Sequence, residues 1–409
     1  MKRLVSLIKR LPMRSGPVAL ANVTAFGIQG VFALLLLGLF SPEQVAVYFV
    51  VSQIAFYWHN LAIAQSNTVL IANPSTDIRR ATRNATRQSS LRLLLLLPLG
   101  YLALHLSELH RPQLALHELL LWTLLIAFFQ MAWYLAQAYL LRNGSARQSA
   151  IARVLPPLVA AVMACMGAAL QWQGPVLLLS ALLGFVCGAL WLADAWQPQG
   201  RQQPQPSRPD TQRDDRSTLL RALYTLLDGL FYTGLAVVWQ SHYGGEHAGW
   251  MLTLMRLLGF IPSLVHTAWQ QVVLASPDQK QIRSLWVALG SAGLVALTGL
   301  IIMLLAQTGS VPERWHGLKD YALPVALWQA GSCLTMTFSY LGFARGRAVL
   351  FAWLSMGMHS LCLLALLLPL LIIGLSAVQH FWLLAAAYSL LSLLMSIALL
   401  KVPARHSSH

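Results

Sequence analysis

Charged side chains are scarce in this chain: 10% of its 409 residues are Asp, Glu, Lys or Arg, while 57% are apolar. A soluble globule carries about a quarter charged residues, so the composition excludes that class. Acidic residues are the scarcest, 13 against 28 Lys and Arg, which leaves a formal net charge of +15. Chemical motifs are missing as well. There is no H-E-x-x-H, no G-x-x-x-x-G-K-S/T and no G-x-S-x-G. The four cysteines, Cys165, Cys187, Cys333 and Cys362, fall within apolar stretches without a C-x-x-C pair. Metal, phosphate-loop and nucleophile-elbow chemistry thus lack their usual signatures, the thiols read as packing residues, and no enzyme or cofactor is expected. A cleavable signal peptide is not evident either, since the basic start MKRLVSLIKRLPMR leads into a full-length apolar run.

What the chain does have is long Leu-rich runs. Such runs become membrane-spanning helices, because a helix satisfies its own backbone in lipid; barrel strands of about 10 alternating residues do not fit them. About twelve spans are expected, at 17–40, 45–72, 90–107, 118–141, 150–171, 175–196, 218–241, 247–275, 285–307, 321–344, 348–374 and 377–400. Pro156 and Pro157 are expected to interrupt the fifth. The fold class is therefore an all-α polytopic membrane protein.

The net charge suggests nucleic acid until the charges are placed on this plan. Basic residues then fall on one side: the first 14 residues, a loop with Arg79, Arg80, Arg83 and Arg87 followed by Arg92, then Arg142, Arg147, Arg153, the central segment, and the short loops at Lys280, Arg283, Arg345, Arg347, Lys401 and Arg405. Of the 28, 24 lie there; Arg111, Arg314 and Lys319 lie opposite, and Arg256 is within the membrane. This asymmetry is a topology signal that puts both termini in the cytoplasm, and no nucleic-acid partner is expected.

Residues 197–217, QPQGRQQPQPSRPDTQRDDRS, have no apolar face and read as a disordered cytoplasmic linker. They divide the chain into bundles of six spans, 1–196 and 218–409. Sliding the chain by 203 residues lays Pro42–Ser75 on Gly245–Asp278 without a gap, matching Glu43 to Glu246, Leu61 to Leu264, Val69 to Val272, Ala72 to Ala275 and Pro74 to Pro277. Six spans return the chain to the side it left, so the two copies are parallel repeats.

Polar residues at membrane depth gather on the first two spans of each half. On span 8, Arg256, Gly259, Ser263, Thr267 and Gln270 recur at steps of three and four and share one face. Span 2 has Gln53, Tyr57, Asn60, Ala64 and Asn67 on the corresponding face, span 1 has Asn22 and Gln29, and span 7 has Thr225, Asp228 and Tyr232. Two readings are open: these faces line a shared central cavity, or they are helix-packing contacts. Arg256 and Asp228 lie within about a helical turn of the same depth, which lets them face each other. A charge at a helix centre costs about 2.5–3.5 kcal/mol, so each should pair or line water. Either they form a static pair, or Arg256 grips an anionic group while Asp228 titrates or binds a cation. His59, His266 and His359 also lie within spans, as proton carriers or as packing residues.

At Gly245, Glu246, Ala248, Gly249 and Trp250, followed by Arg256, Pro262, Gln271 and Val272, the chain resembles the signature that opens the second half of Wzx-type polysaccharide flippases. Ser41, Pro42, Glu43 and Tyr48 resemble the corresponding start of the first half, with Ala46 where glycine is usual. That superfamily also holds the MATE exporters and MurJ. The resemblance implies two bundles around a central cavity in a bacterial inner membrane, switching access from side to side, and a substrate that is a polyprenyl-pyrophosphate-linked oligosaccharide, such as an O-antigen repeat unit. It also implies coupling to a proton or sodium gradient, for which Asp228, His59 and His266 are the candidates, and polysaccharide polymerase and chain-length proteins as partners. A MATE-like exporter of small cations shares the architecture and is the alternative; a membrane polymerase or ligase would need a large exterior loop.

Overall fold

The computed structural model describes residues 16–64, 66, 70, 78–109, 114–143, 146–172, 174–196, 215–275, 281–344, 348–372 and 374–401. Most of the stretch 197–217, and Asn67, lie outside them. Among the described residues the chain is helical throughout, in α1 (Gly16–Leu39), α2 (Pro42–Ile63), α3 (Ile78–Leu95), α4 (Leu97–Leu106), α5 (Leu116–Asn143), α6 (Ala146–Ala169), α7 (Val176–Trp191), α8 (Asp215–Val238), α9 (Gly245–Ala275), α10 (Gln281–Gln307), α11 (Leu318–Ala344), α12 (Ala348–Ile372) and α13 (Ala377–Lys401). Seven of these are long and apolar enough to cross a membrane, and eight if α3 and α4, bent by 46° at a short break, make one span. This is a polytopic all-α membrane protein.

The chain forms two compact units, Met1–Leu35 with Val50–Arg213, and Leu36–Phe49 with Asp214–His409. In the first, α7 packs between α5 and α6, and α3 lies along α5. A core of Ala136, Tyr139, Leu140, Ala152, Leu192 and Ala195 is closed by Trp133 and Trp196. In the second, α11 is the central helix, packed by α9, α10 and α13, while α8 pairs with α12. Leucines on α10 face outward, as expected for a lipid-covered surface: Leu289, Leu297, Leu300 and Leu304 are all exposed.

Two expectations are corrected. Arg79, Arg80, Arg83 and Arg87 are not in a loop but in the first turns of α3; the run is hydrophilic yet amphipathic, and its buried face, Thr82, Ala85, Ser89 and Leu93, holds it helical. Pro156 and Pro157 do not interrupt α6. Proline lacks the N–H that would bond the carbonyl four residues back, which for Pro156 is Ala152. Here Trp133 Nε1–H on α5 donates to the Ala152 oxygen at 2.8 Å, so the freed acceptor is satisfied from a neighbouring helix. Gly184 and Gly188 on α7 leave room for the proline: a Cβ at Gly184 would come within 2.6 Å of the Pro156 oxygen. The same device recurs at Pro369, where His380 Nε2 on α13 sits 3.2 Å from the freed carbonyl of Ala365, and Trp58 Nε1–H donates to the Leu93 carbonyl at 2.9 Å beside the α3–α4 bend. In lipid an unpaired carbonyl has no water to turn to. Trp133→Phe removes the donor together with part of the ring, so it is expected to lower stability by at least about 1–3 kcal/mol. A thermal midpoint in detergent equal to that of the unaltered protein would remove this role from Trp133.

The start of α9 explains one of the two glycines of the sequence signature. A Cβ on Gly249 would run into the carbonyl oxygen of Pro42, and Gly245 lies against the Glu43 side chain. The 203-residue offset places Ala46, fully buried, at the position of Gly249, so one copy tolerates a methyl group and the other does not. Gly249→Ala is expected to force α9 off the α1–α2 turn at a cost of about 1–3 kcal/mol, read as reduced folded yield by fluorescence-detected size exclusion.

Candidate functional site

The second unit holds the chemistry at membrane depth. Arg256 projects from the middle of α9, nearly two turns before the helix-internal Pro262. Its Nη1 donates to the hydroxyl of Tyr48 at 3.3 Å, and its guanidinium carbon lies 5.7 Å from the Tyr48 ring centre and 5.2 Å from that of Phe49. These are cation–π distances. The two rings, 5.1 Å apart, form a slab against which the arginine rests. Among the described residues no carboxylate lies within 4.0 Å of it. A single neutral hydroxyl leaves most of the guanidinium donors unused.

Asp228 on α8 does not meet Arg256. Its Oδ1 lies 3.2 Å from His359 Nε2 on α12, with the histidine almost fully buried and the aspartate about a quarter exposed. The α8–α12 pairing brings them together, and aromatic rings wall the pair. Tyr224, Phe231 and Tyr232 surround the His359 ring at centroid distances of 6.2, 5.9 and 6.3 Å. A run of hydroxyls continues from there: Tyr232 Oη is 3.2 Å from Tyr388 Oη, which accepts from Ser332 Oγ at 3.4 Å. Trp328 stacks on Tyr388 with centroids 4.3 Å apart and planes 6° from parallel, holding that phenol in place.

Other candidate residues fall elsewhere. Ser263 is half-buried and returns its hydroxyl to the Gly259 carbonyl at 2.8 Å, the usual resting bond of a serine in a helix. Gln270 is within α9, but its side chain is outside the described residues, as is that of Asn22 on α1. Gln29, Gln53 and Asn60 are half-buried in the first unit. His59, also in the first unit, is fully buried, stacks on Tyr134 at 5.1 Å and turns Nδ1 to the Ala55 carbonyl at 3.2 Å. His266 is exposed, with Nδ1 2.6 Å from Tyr340 Oη.

The polar side of α11 was not anticipated from the sequence. Gln329, Ser332, Thr335 and Ser339 are buried there, and Gln329 Nε2 donates to the Met255 carbonyl, the residue before Arg256, at 3.1 Å. Their spacing of three, three and four residues marks a helix face, and that pattern is the signal that would have found them.

The same architecture is found in solved structures of other proteins. The chain superposes on the lipid II flippase MurJ in its inward closed conformation with a TM-score of 0.65 and 12% identity, over 94% of this chain and 87% of that one. An inward-facing multidrug resistance MATE family transporter of the MOP superfamily gives 0.54 at 15% identity, over 98% and 99%. A MOP superfamily transporter from Pyrococcus furiosus, whose reversed binding-pocket polarity suggests a different function, gives 0.52 at 14%, over 97% and 96%. At these identities the likeness establishes the fold. No family model matches the chain, and no curated protein matches it in sequence.

Proposed function

We propose that this protein is a flippase that moves a lipid-linked oligosaccharide, of the kind used for surface polysaccharide or O-antigen, across a bacterial inner membrane by alternating access, with both termini cytoplasmic. The observation that carries the reading is Arg256: a cation at membrane depth, resting on two aromatic rings, with donors to spare and no carboxylate at hand among the described residues. A guanidinium so placed suits the diphosphate of a polyprenyl-linked sugar, because its forked donors match phosphate oxygens in a setting where water competes little. That a protein of this fold flips lipid II supports a lipid-linked substrate. Asp228 with His359 is the pair we assign to coupling, since a carboxylate and an imidazole in contact can hold or pass one proton, or admit a small cation. Gln53, Asn60, Asn67, Ser263, Gln270, Asn22 and Gln29 are proposed contacts for the sugars; polymerase and chain-length proteins are the proposed downstream partners.

A second reading draws on the same pair. A carboxylate whose histidine partner is ringed by Tyr224, Phe231 and Tyr232 also suits an organic cation, the substrate class of a small-molecule exporter. Proteoliposomes separate the two. A fluorescent polyprenyl-pyrophosphate oligosaccharide should become accessible to external quencher faster with the protein than in empty vesicles, and a lipophilic cationic dye should not be moved. The reverse result selects the exporter.

A further inference from the structure

We propose that the outer face of α3 is a docking surface for anionic phospholipid headgroups. The proposal does not depend on which substrate is carried. Between Ile78 and Leu95 the helix has five arginines and no acidic residue. Its rotation is fixed from behind: Thr82, Ala85, Ser89 and Leu93 are buried, Arg79 Nε donates to Tyr139 Oη at 2.9 Å, and Trp196 Nε1 donates to Thr86 Oγ1 at 3.1 Å. Arg79 is thus occupied on the packed side, while Arg83 and Arg87, one turn apart, are exposed on the opposite side. Among the described residues neither has a hydrogen-bond or ion-pair partner.

Down the same exposed arc the chemistry changes from basic to apolar. Leu91 and Leu94 are each 55% exposed and Leu95 is 79% exposed, and α4 continues with Leu99, Leu102 and Leu106 also facing outward. An exposed stripe that is arginine for two turns and leucine afterwards fits one environment, the boundary between headgroups and acyl chains. Length agrees. Beyond Arg92, itself exposed, the apolar stretch from Leu93 to Leu106 rises about 20 Å at 1.5 Å per residue, short of the roughly 30 Å hydrocarbon core, so the turns bearing Arg83 and Arg87 are drawn to headgroup level. The 46° bend between α3 and α4 tilts the basic turns away from the spanning direction. Guanidinium groups held at that level with free donors select phosphate that carries net negative charge over zwitterionic headgroups.

The test uses the full-length protein released from nanodiscs containing equal phosphatidylglycerol and phosphatidylcholine, with retained lipids counted by native mass spectrometry. The unaltered protein should retain phosphatidylglycerol over phosphatidylcholine. Arg83→Gln with Arg87→Gln should reduce that preference by roughly thirtyfold, the effect of two arginines at an anionic surface, while Arg83→Lys with Arg87→Lys keeps most of it. A thermal midpoint within a degree or two of the unaltered protein, measured on the same samples, shows that the double glutamine variant is folded. Equal retention of the two lipids, or a folded glutamine variant that keeps the preference, overturns the proposal. So does a variant that loses binding of added polyprenyl pyrophosphate yet retains phosphatidylglycerol, which would make the face a substrate contact instead.

Discussion

Arg256→Ala is expected to reduce translocation of the lipid-linked oligosaccharide by at least two orders of magnitude while leaving insertion and folding nearly intact. The two effects separate because they rest on different contacts. In this structure the guanidinium stabilises the fold through one hydroxyl bond to Tyr48 and through the faces of Tyr48 and Phe49, together about 1–2 kcal/mol at a partly exposed site. Bound to a diphosphate, the same group would make charge-assisted bonds whose loss leaves a desolvated anion without its partner, a penalty of about 3 kcal/mol or more. Arg256→Lys keeps the charge and loses the planar fork, so it should fall between the two, closer to the alanine variant if the contact is bidentate. Tyr48→Phe is the companion measurement, since it removes the hydroxyl partner but keeps both rings and should alter transport by less than about threefold. Proteoliposome translocation at matched protein density decides the matter: activity within twofold of the unaltered protein in Arg256→Ala would end the assignment of Arg256 to the substrate.

Arg256 stands out in the amino-acid sequence alone, and the reason is simple physics. A lone guanidinium in a 31-residue apolar helix is too costly to be incidental, and composition plus apolar run length sufficed for the all-α membrane class. Pairings between distant helices were a different matter. Asp228 and His359 lie far apart in the chain and have no shared motif, so depth alone made Arg256 the plausible partner for the aspartate; only the packing of α8 on α12 reveals the histidine. The prolines misled for a related reason. Local rules say correctly that Pro156 strips Ala152 of its bond, but not that Trp133, 19 residues earlier, returns one. Hydropathy likewise separated Arg79–Arg87 from the span that follows, because averaging over a window hides an amphipathic face that counting at steps of three and four shows.

Asp228→Asn is expected to uncouple transport from the ion gradient, and it carries the second large effect. The amide is nearly the same size as the carboxylate and can still accept a bond from His359 Nε2, so the α8–α12 contact should survive with little loss of stability. What disappears is the negative charge. Without it the site can no longer bind a proton at the carboxylate or attract a small cation, and any transport that depends on an imposed proton or sodium gradient should fall to the gradient-free rate. His359→Ala separates structure from coupling. Removing that ring opens a hole within the cluster of Tyr224, Phe231 and Tyr232 and leaves a largely desolvated carboxylate without its partner, a change worth about 3–5 kcal/mol for a fully buried pair and less here because Asp228 remains about a quarter exposed. Combining the two substitutions should then recover part of the stability lost in His359→Ala, because the stranded charge is gone. A coupling energy of about 0.5–3 kcal/mol between the positions, measured by a double-mutant thermal cycle, is the signature of direct interaction. Strict additivity, or gradient-driven transport that persists in Asp228→Asn, would mean that the pair only braces two helices and that coupling resides elsewhere.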